Sequence, residues 1–164
     1  LKIICQPLDF YAFNMYCADG YGAPNNQKNP RLYHGFPVTT LEWPITPECL
    51  YWGARFAYER YGLPVMITEN GMANVDFLML DNKVHDPQRI DYLHRHFLWL
   101  RRATEEEIPL LGYQYWSLMD NYEWALGYVP RFGLIYVDYR TGERTLKDSA
   151  YDYAEISRTN GEKL

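Results

Sequence analysis

The stretch Pro64-Val65-Met66-Ile67-Thr68-Glu69-Asn70-Gly71 runs a carboxylate out of an apolar segment. Val65 to Thr68 are apolar or β-branched and do not alternate with polar residues, the pattern of a short buried parallel strand. Glu69 then stands at the C-terminal end of that strand. A carboxylate there is costly to desolvate unless it is hydrogen-bonded or put to use. In barrels of alternating strands and helices, chemistry is placed at that end of the strands. The Asn70-Gly71 pair is expected to turn the chain straight afterwards.

Two further strand ends carry residues of the same kind. Asn14 and Tyr16 close the aromatic run from Leu8 to Tyr16 and, two apart, are expected on one face. Trp116 closes the run from Ile108 to Trp116, and Glu123 and Trp124 follow in the next loop. Trp43 lies near the end of a long loop, 17–46, rich in Gly, Pro and Asn; a loop that long is usually functional. If the strands are parallel, these ends meet on one face. Carboxylates accept paired hydrogen bonds from sugar hydroxyls, and indoles stack on the C–H face of a sugar ring. Cleaving a glycosidic bond also requires a carboxylate beside the anomeric carbon.

The elements that must position these residues are legible by period. Thr46-Pro47-Glu48 starts a helix, with a capping hydroxyl, Pro at the first position and an acid in the first turn. Leu50, Ala54, Ala57, Tyr58 and Tyr61 follow at helical spacing, and Gly62 closes it. Asp86-Pro87 starts a second helix in the same way, with Ile90, Leu93, Phe97, Leu98 and Leu100 as its apolar face. It ends near Glu105-Glu106-Glu107. Residues 132–139 look extended, Thr141-Gly142 turns the chain back, and Asp148-Ser149 caps a last helix through Ile156. The order is strand, helix, strand, helix, strand, short hairpin, helix. That alternation predicts an α/β fold of parallel strands with helical crossovers. Three such units fall short of a closed barrel, which takes eight and about 250 residues.

Composition bounds the function more loosely. The chain has 164 residues and a formal charge of -5, which with no Lys/Arg cluster argues against a nucleic-acid partner. The 16 Tyr, 7 Phe and 5 Trp fit either a tyrosine-rich core or a sugar-stacking surface. Cys5, Cys17 and Cys49 are odd in number and lack CxxC spacing, so reduced thiols and a cytoplasmic location are expected. No apolar run is long enough to span a bilayer. Leu1 to Cys5 is too short for a signal peptide, and the missing initial Met implies that residue 1 is not the start of the natural product. His94 and His96 face different sides of a helix, and His34 and His85 have no nearby cluster, so no metal site is expected. Ser117 lacks the G-x-S-x-G elbow, and no phosphate-cradling loop is present, so no cofactor is expected.

The motifs resemble those of glycoside hydrolase family 1, the retaining β-glucosidases and β-galactosidases. Ile67-Thr68-Glu69-Asn70-Gly71 resembles the family's nucleophile motif. Asn14-Met15-Tyr16 resembles its Asn-Tyr-Tyr strand end, with Met15 in place of the middle Tyr. Trp116-Ser117-Leu118-Met119-Asp120-Asn121-Tyr122-Glu123-Trp124 and Arg131-Phe132-Gly133-Leu134-Ile135-Tyr136-Val137-Asp138 are close to the family consensus. The resemblance implies that Glu69 is the nucleophile, that Tyr16 hydrogen-bonds it and that Asn14 borders the sugar. It also implies that Trp116 stacks beneath the glycone, that Glu123 and Trp124 bind its outer hydroxyls, and that Phe132 lines the pocket. Trp43 resembles the wall of the aglycone site, although Glu42 stands where Gly is usual. The family's Asn-Glu-Pro motif, which carries the acid/base, does not occur in this sequence. The resemblance therefore implies the C-terminal part, about strands six to eight, of a TIM (β/α)8 barrel, one partial domain over 1–164. Its partners would be a β-glucoside or related small oligosaccharide and the N-terminal barrel strands, in cis or trans. Two alternatives are a 6-phospho-β-glycosidase, against which Glu123 would repel the phosphate, and a noncatalytic carbohydrate-binding fragment.

Overall fold

The computed structural model describes residues 3–4, 6–18 and 35–164. Three parallel strands form one sheet in the order β1 (Tyr11–Asn14), β2 (Val65–Asn70), β3 (Leu110–Tyr115). Helices α1 (Cys49–Tyr61) and α2 (Pro87–Glu105) cross between them. An antiparallel hairpin of β4 (Ile135–Val137) and β5 (Arg144–Leu146) follows, and α3 (Asp148–Arg158) ends the order. The elements come in the order that the pattern predicts, with tighter bounds. The ladder from β1 to β2 shifts register between Phe13 and Asn14, so regular pairing stops there and Tyr16 lies beyond the strand.

One face of the sheet is dry. Val65 and Ile67 of β2 are fully buried, and Phe13, Leu110 and Tyr113 pack with them against Leu50, Leu93, Phe97 and Leu100. In α1, Leu50, Ala54 and Ala57 are buried, as their spacing predicts, while Tyr58 and Tyr61 lie at the surface. Tyr61 instead stacks on Tyr11 at 4.8 Å. In α2 the buried stripe is Tyr92, Leu93, His96, Phe97 and Leu100; Leu98 points outward. On the other face of the sheet, Ala12, Asn14 and Gln114 are exposed and Leu111 is 57% accessible.

Three local expectations are corrected. Thr46 does not cap α1: its hydroxyl accepts the Ala18 N–H at 2.7 Å, and the helix begins only at Cys49. Asp86 does not cap α2 either; its carboxylate takes the Ser149 N–H at 2.9 Å, the Ser149 hydroxyl at 2.6 Å and the Arg89 guanidinium. In both cases a tertiary partner outcompetes the local one. The third concerns Asn70, which is not a turn residue but the fully buried last residue of β2. Its amide donates to the Met15 carbonyl at 2.8 Å and to the Tyr92 hydroxyl at 3.0 Å, and accepts from the Tyr113 hydroxyl at 2.7 Å. Gly71 is not left-handed. It provides space, since a Cβ there would lie 2.0 Å from the Trp116 carbonyl oxygen.

Asn70 therefore ties β1, β2, α2 and β3 together at one end of the sheet. Asn70→Ala removes three hydrogen bonds, although the Tyr92 and Tyr113 hydroxyls each keep a backbone carbonyl, and should cost about 2–4 kcal/mol. Guanidinium unfolding of the two proteins measures this; coincident midpoints would show that these bonds add nothing to stability.

Candidate active site

Glu69 sits one residue from the end of the middle strand. Its backbone carbonyl accepts the Met15 N–H at 2.9 Å, which draws the chain beyond β1 alongside it. This puts the Tyr16 hydroxyl 2.8 Å from Glu69 Oε2, as donor. Tyr16 is anchored on its other side, where the Tyr92 hydroxyl donates to its carbonyl at 3.2 Å. Burial first, and then the hydrogen bond and charge of Glu69 and the charge of Glu123, push the Tyr16 phenol far above its ordinary range. Each of these disfavours phenolate, so Tyr16 remains a donor. Asn14 also reaches the end of β2, where its Oδ1 accepts the Thr68 hydroxyl at 2.8 Å.

Aromatic rings surround this pair. Trp43 meets Tyr16 edge-on at 5.2 Å, and Phe132 meets Tyr16 edge-on at 6.2 Å and lies 6.2 Å from Trp43. Trp43 is presented by a tight turn. The Glu42 N–H donates to the Thr39 carbonyl and the Thr39 N–H to the Trp43 carbonyl, both at 2.9 Å. Glu42 is left-handed in this turn, with φ 59°. That conformation favours glycine, which accounts for the residue usual at this position in the resembled family.

Trp116 continues from β3, and its N–H donates to the Asn70 carbonyl at 2.9 Å. Phe132 is buried, and its carbonyl accepts the Tyr115 hydroxyl at 2.9 Å. Glu123 precedes a single 3-10 turn, Trp124–Leu126, and its N–H donates to the Gly127 carbonyl at 2.7 Å. The structure thus gathers Glu69, Tyr16, Trp43 and Phe132, with Glu123 near enough to act electrostatically on Tyr16. Trp124 stands apart, 80% accessible.

A buried ionic layer underlies these residues, and the sequence reading missed it. Asp76 lies in the loop after β2, Asp86 and Arg89 at the start of α2, Asp120 and Arg131 in the loop after β3, and Lys147 just before α3. Lys147 Nζ bridges Asp76 at 2.6 Å and Asp120 at 2.8 Å. Arg89 pairs with Asp76 at 2.7 Å and with Asp86, and donates to the Arg131 carbonyl at 2.9 Å. Arg131 pairs with Asp120 at 2.6 Å. The Gly133 N–H also donates to Asp120, at 2.9 Å. Burial and the neighbouring Arg89 charge push Lys147 below the ordinary lysine range, while Asp76 and Asp120 pull it back. Among the described residues no cluster of His, Cys, Asp and Glu could hold a metal ion, and no helix is long and apolar enough to cross a membrane.

Known proteins share both the sequence and the shape. The pattern of glycosyl hydrolase family 1 matches residues 1–162. A 1,4-beta-D-glucan glucohydrolase of Thermotoga neapolitana is 42% identical, over 98% of this chain and 37% of its own length. Beta-glucosidase A of Thermotoga maritima is 42% identical, over 96% of this chain and 36% of its own. A beta-galactosidase of Sulfolobus acidocaldarius is 39% identical over 87% of this chain. The solved family 1 β-glucosidase from Thermotoga maritima superposes with a TM-score of 0.87 at 40% identity, covering 96% of this chain and 36% of that one. The chain thus spans little more than a third of the length of these Thermotoga relatives.

Tyr16 can be checked without any substrate. Its raised phenol should stay protonated through about pH 11, a unit above an ordinary tyrosine. The ultraviolet titration of Tyr16→Phe should therefore match that of the parent protein up to that point. A phenolate lost from the variant's curve near the ordinary tyrosine range would contradict the buried, carboxylate-bound phenol.

Proposed function

The chain belongs to glycosyl hydrolase family 1, and from that premise we propose that it is the nucleophile-bearing C-terminal portion of a retaining β-glycosidase acting on β-glucosides or related β-glycosides. Its three parallel strands correspond in this reading to strands six to eight of an eight-stranded barrel. The observation that carries the reading is the 2.8 Å bond from Tyr16 to Glu69 at the C-terminal end of the middle strand. A carboxylate held by one oxygen, ringed by aromatics, suits attack on an anomeric carbon by the other.

In this mechanism Glu69 Oε1 attacks the anomeric carbon as the glycosidic C–O bond breaks, and a covalent glycosyl-enzyme forms. Water then attacks the same carbon and releases Glu69. Both steps need a proton carrier, to protonate the leaving oxygen and then to deprotonate water. That acid/base comes from the N-terminal barrel strands, supplied in cis or trans. Tyr16 fixes the nucleophile. Trp43 forms the aglycone wall, Trp116 and Phe132 pack on the sugar, and Asn14, Glu123 and Trp124 bind its hydroxyls. Trp124, exposed here, would meet the sugar against those added strands.

The reading is tested by joining this chain to the N-terminal segment of the Thermotoga maritima relative that the match leaves uncovered. The complete barrel should hydrolyse an aryl β-glucoside over many turnovers, and Glu69→Gln should abolish nearly all of it. A mechanism-based fluoro-sugar should label Glu69; a label on Glu123 instead would overturn the assignment. Efficient cleavage of a 6-phosphoglucoside would favour the phospho-enzyme alternative.

The isolated chain should behave differently. Among the described residues the outer edges of β1 and β3 are unpaired and one sheet face is open at Ala12, Asn14, Leu111 and Gln114, which favours association. Without an acid/base, general acid–base help worth about 10²–10⁴-fold is lost. Gel filtration should show self-association, and a steady-state assay no sustained turnover. A monodisperse, multiply turning-over monomer would show that the chain is not a barrel portion.

A further inference from the structure

Two loops that touch through the Asn74 N–H and the Arg131 carbonyl, 3.1 Å apart, are also joined side chain to side chain at Lys147. One ammonium bridges Asp76, in the loop that follows Glu69, and Asp120, three residues before Glu123. None of the three side chains has more than 1% of its surface exposed. Lys147 is also held by its backbone, since its N–H donates to the Leu134 carbonyl at 3.0 Å. Asp120 is bound in turn to the segment that carries Phe132, through the Gly133 N–H at 2.9 Å and Arg131 at 2.6 Å. The chain of contacts therefore runs from the loop after the nucleophile strand, through one cation, to both flanks of the sugar-facing loop.

We propose that Lys147 is a positioning residue: it fixes the spacing between the Glu69 strand end and the Glu123 loop, and so the register of the sugar hydroxyls against the nucleophile. This rests on the reading of Glu69 as nucleophile and Glu123 as hydroxyl-binding residue. The physical reason is charge. With the ammonium gone, Asp76 retains Arg89, Asp120 retains Arg131, and Arg89 still links Asp76 to the Arg131 carbonyl, but the one cation that touches both carboxylates is lost. Two buried carboxylates that shared one counter-ion now repel across its place. The loops part by the route that costs least, and Glu123 rides on one of them. A shift of about 1 Å in such a contact can cost about 10²-fold in rate.

The test is a double-mutant cycle in the complete barrel, reading kcat and KM for an aryl β-glucoside. Lys147→Met keeps the stem and removes the charge. With Glu123 in place it should lower kcat/KM by about tenfold or more, and on a Glu123→Ala background by less than about threefold. Much of the loss should lie in KM, because hydroxyl binding is what moves. Lys147→Arg keeps a cation between the loops and should recover part of the loss. If Lys147→Met does not fold, Asp76→Asn, which removes one of its two anionic partners with little change in shape, takes its place in the same cycle. Equal losses on both backgrounds would reduce Lys147 to general stability and overturn the proposal alone. So would a folded Lys147→Met with unchanged kinetics. Glu123→Ala without any loss of its own would overturn the reading of Glu123, and this inference with it.

Discussion

Six charges held away from water fix how the loops of this protein can sit. Asp76, Asp86, Asp120, Arg89 and Lys147 expose essentially no side-chain surface, and Arg131 little. Each alone would cost several kcal/mol to bury. Together they sum to zero, and every carboxylate touches at least one cation. Backbone N–H groups of Gly133 and Ser149 add to the set, while Asp76 Oδ1 and Arg89 Nε are left without a hydrogen-bond partner among the described residues. Buried ion pairs seldom add net stability over well-packed apolar residues. What they add here is register, because few arrangements give each of the six an opposite charge at once. The members come from the loops after β2 and β3 and from the starts of α2 and α3, so these four segments move together or not at all.

A second layer lies nearer Glu69 and uses neutral groups. Asn70 joins Met15, Tyr92 and Tyr113, and Tyr92 passes the connection on to the Tyr16 carbonyl. The apolar core behind the sheet cannot do this work. Hydrophobic burial is non-directional, and would hold β1 against β2 in several nearly equal ways beyond the register shift at Asn14. Directional bonds choose among them. They carry Tyr16 to Glu69 even though the strand ladder has ended.

This division explains what could be read in the sequence. Glu69 was legible because a buried parallel strand leaves an unbroken apolar run whose end is plain. The alternation of elements was legible for the same reason, as was the buried stripe of Leu93, Phe97 and Leu100. Asn70 was not, because an Asn-Gly pair has a strong local meaning while its real partners lie 55, 22 and 43 residues away. Thr46 and Asp86 were misread as caps, since nothing local reveals that Ala18 and Ser149 claim them. Lys147 carries no signal at all; a single lysine before a helix ordinarily faces water. Trp124 shows the opposite limit. Its motif is plain, yet its side chain lies open to solvent, 80% accessible.

The same electrostatics that suit Tyr16 to its place beside Glu69 debar it from acting as the general acid of the proposed retaining reaction. A general acid works best when its pKa lies near the working pH. Burial and two carboxylate charges drive the Tyr16 phenol the other way, so it gives up its proton too reluctantly to serve a departing alkoxide. Its proton is also already engaged, directed at Glu69 Oε2. To turn towards a leaving group it would have to abandon Glu69, the carboxylate that it holds. Tyr92, whose hydroxyl donates to the Tyr16 backbone carbonyl, is buried as well, and burial likewise drives its pKa upward. The Tyr92 hydroxyl, bound to the Tyr16 backbone carbonyl, and the Tyr16 hydroxyl, bound to Glu69, therefore hold this carboxylate in place and form no continuous proton path. In the proposed reaction the proton must come from a group on the far side of the scissile bond, held in an environment that keeps it able to give its proton up and take it back.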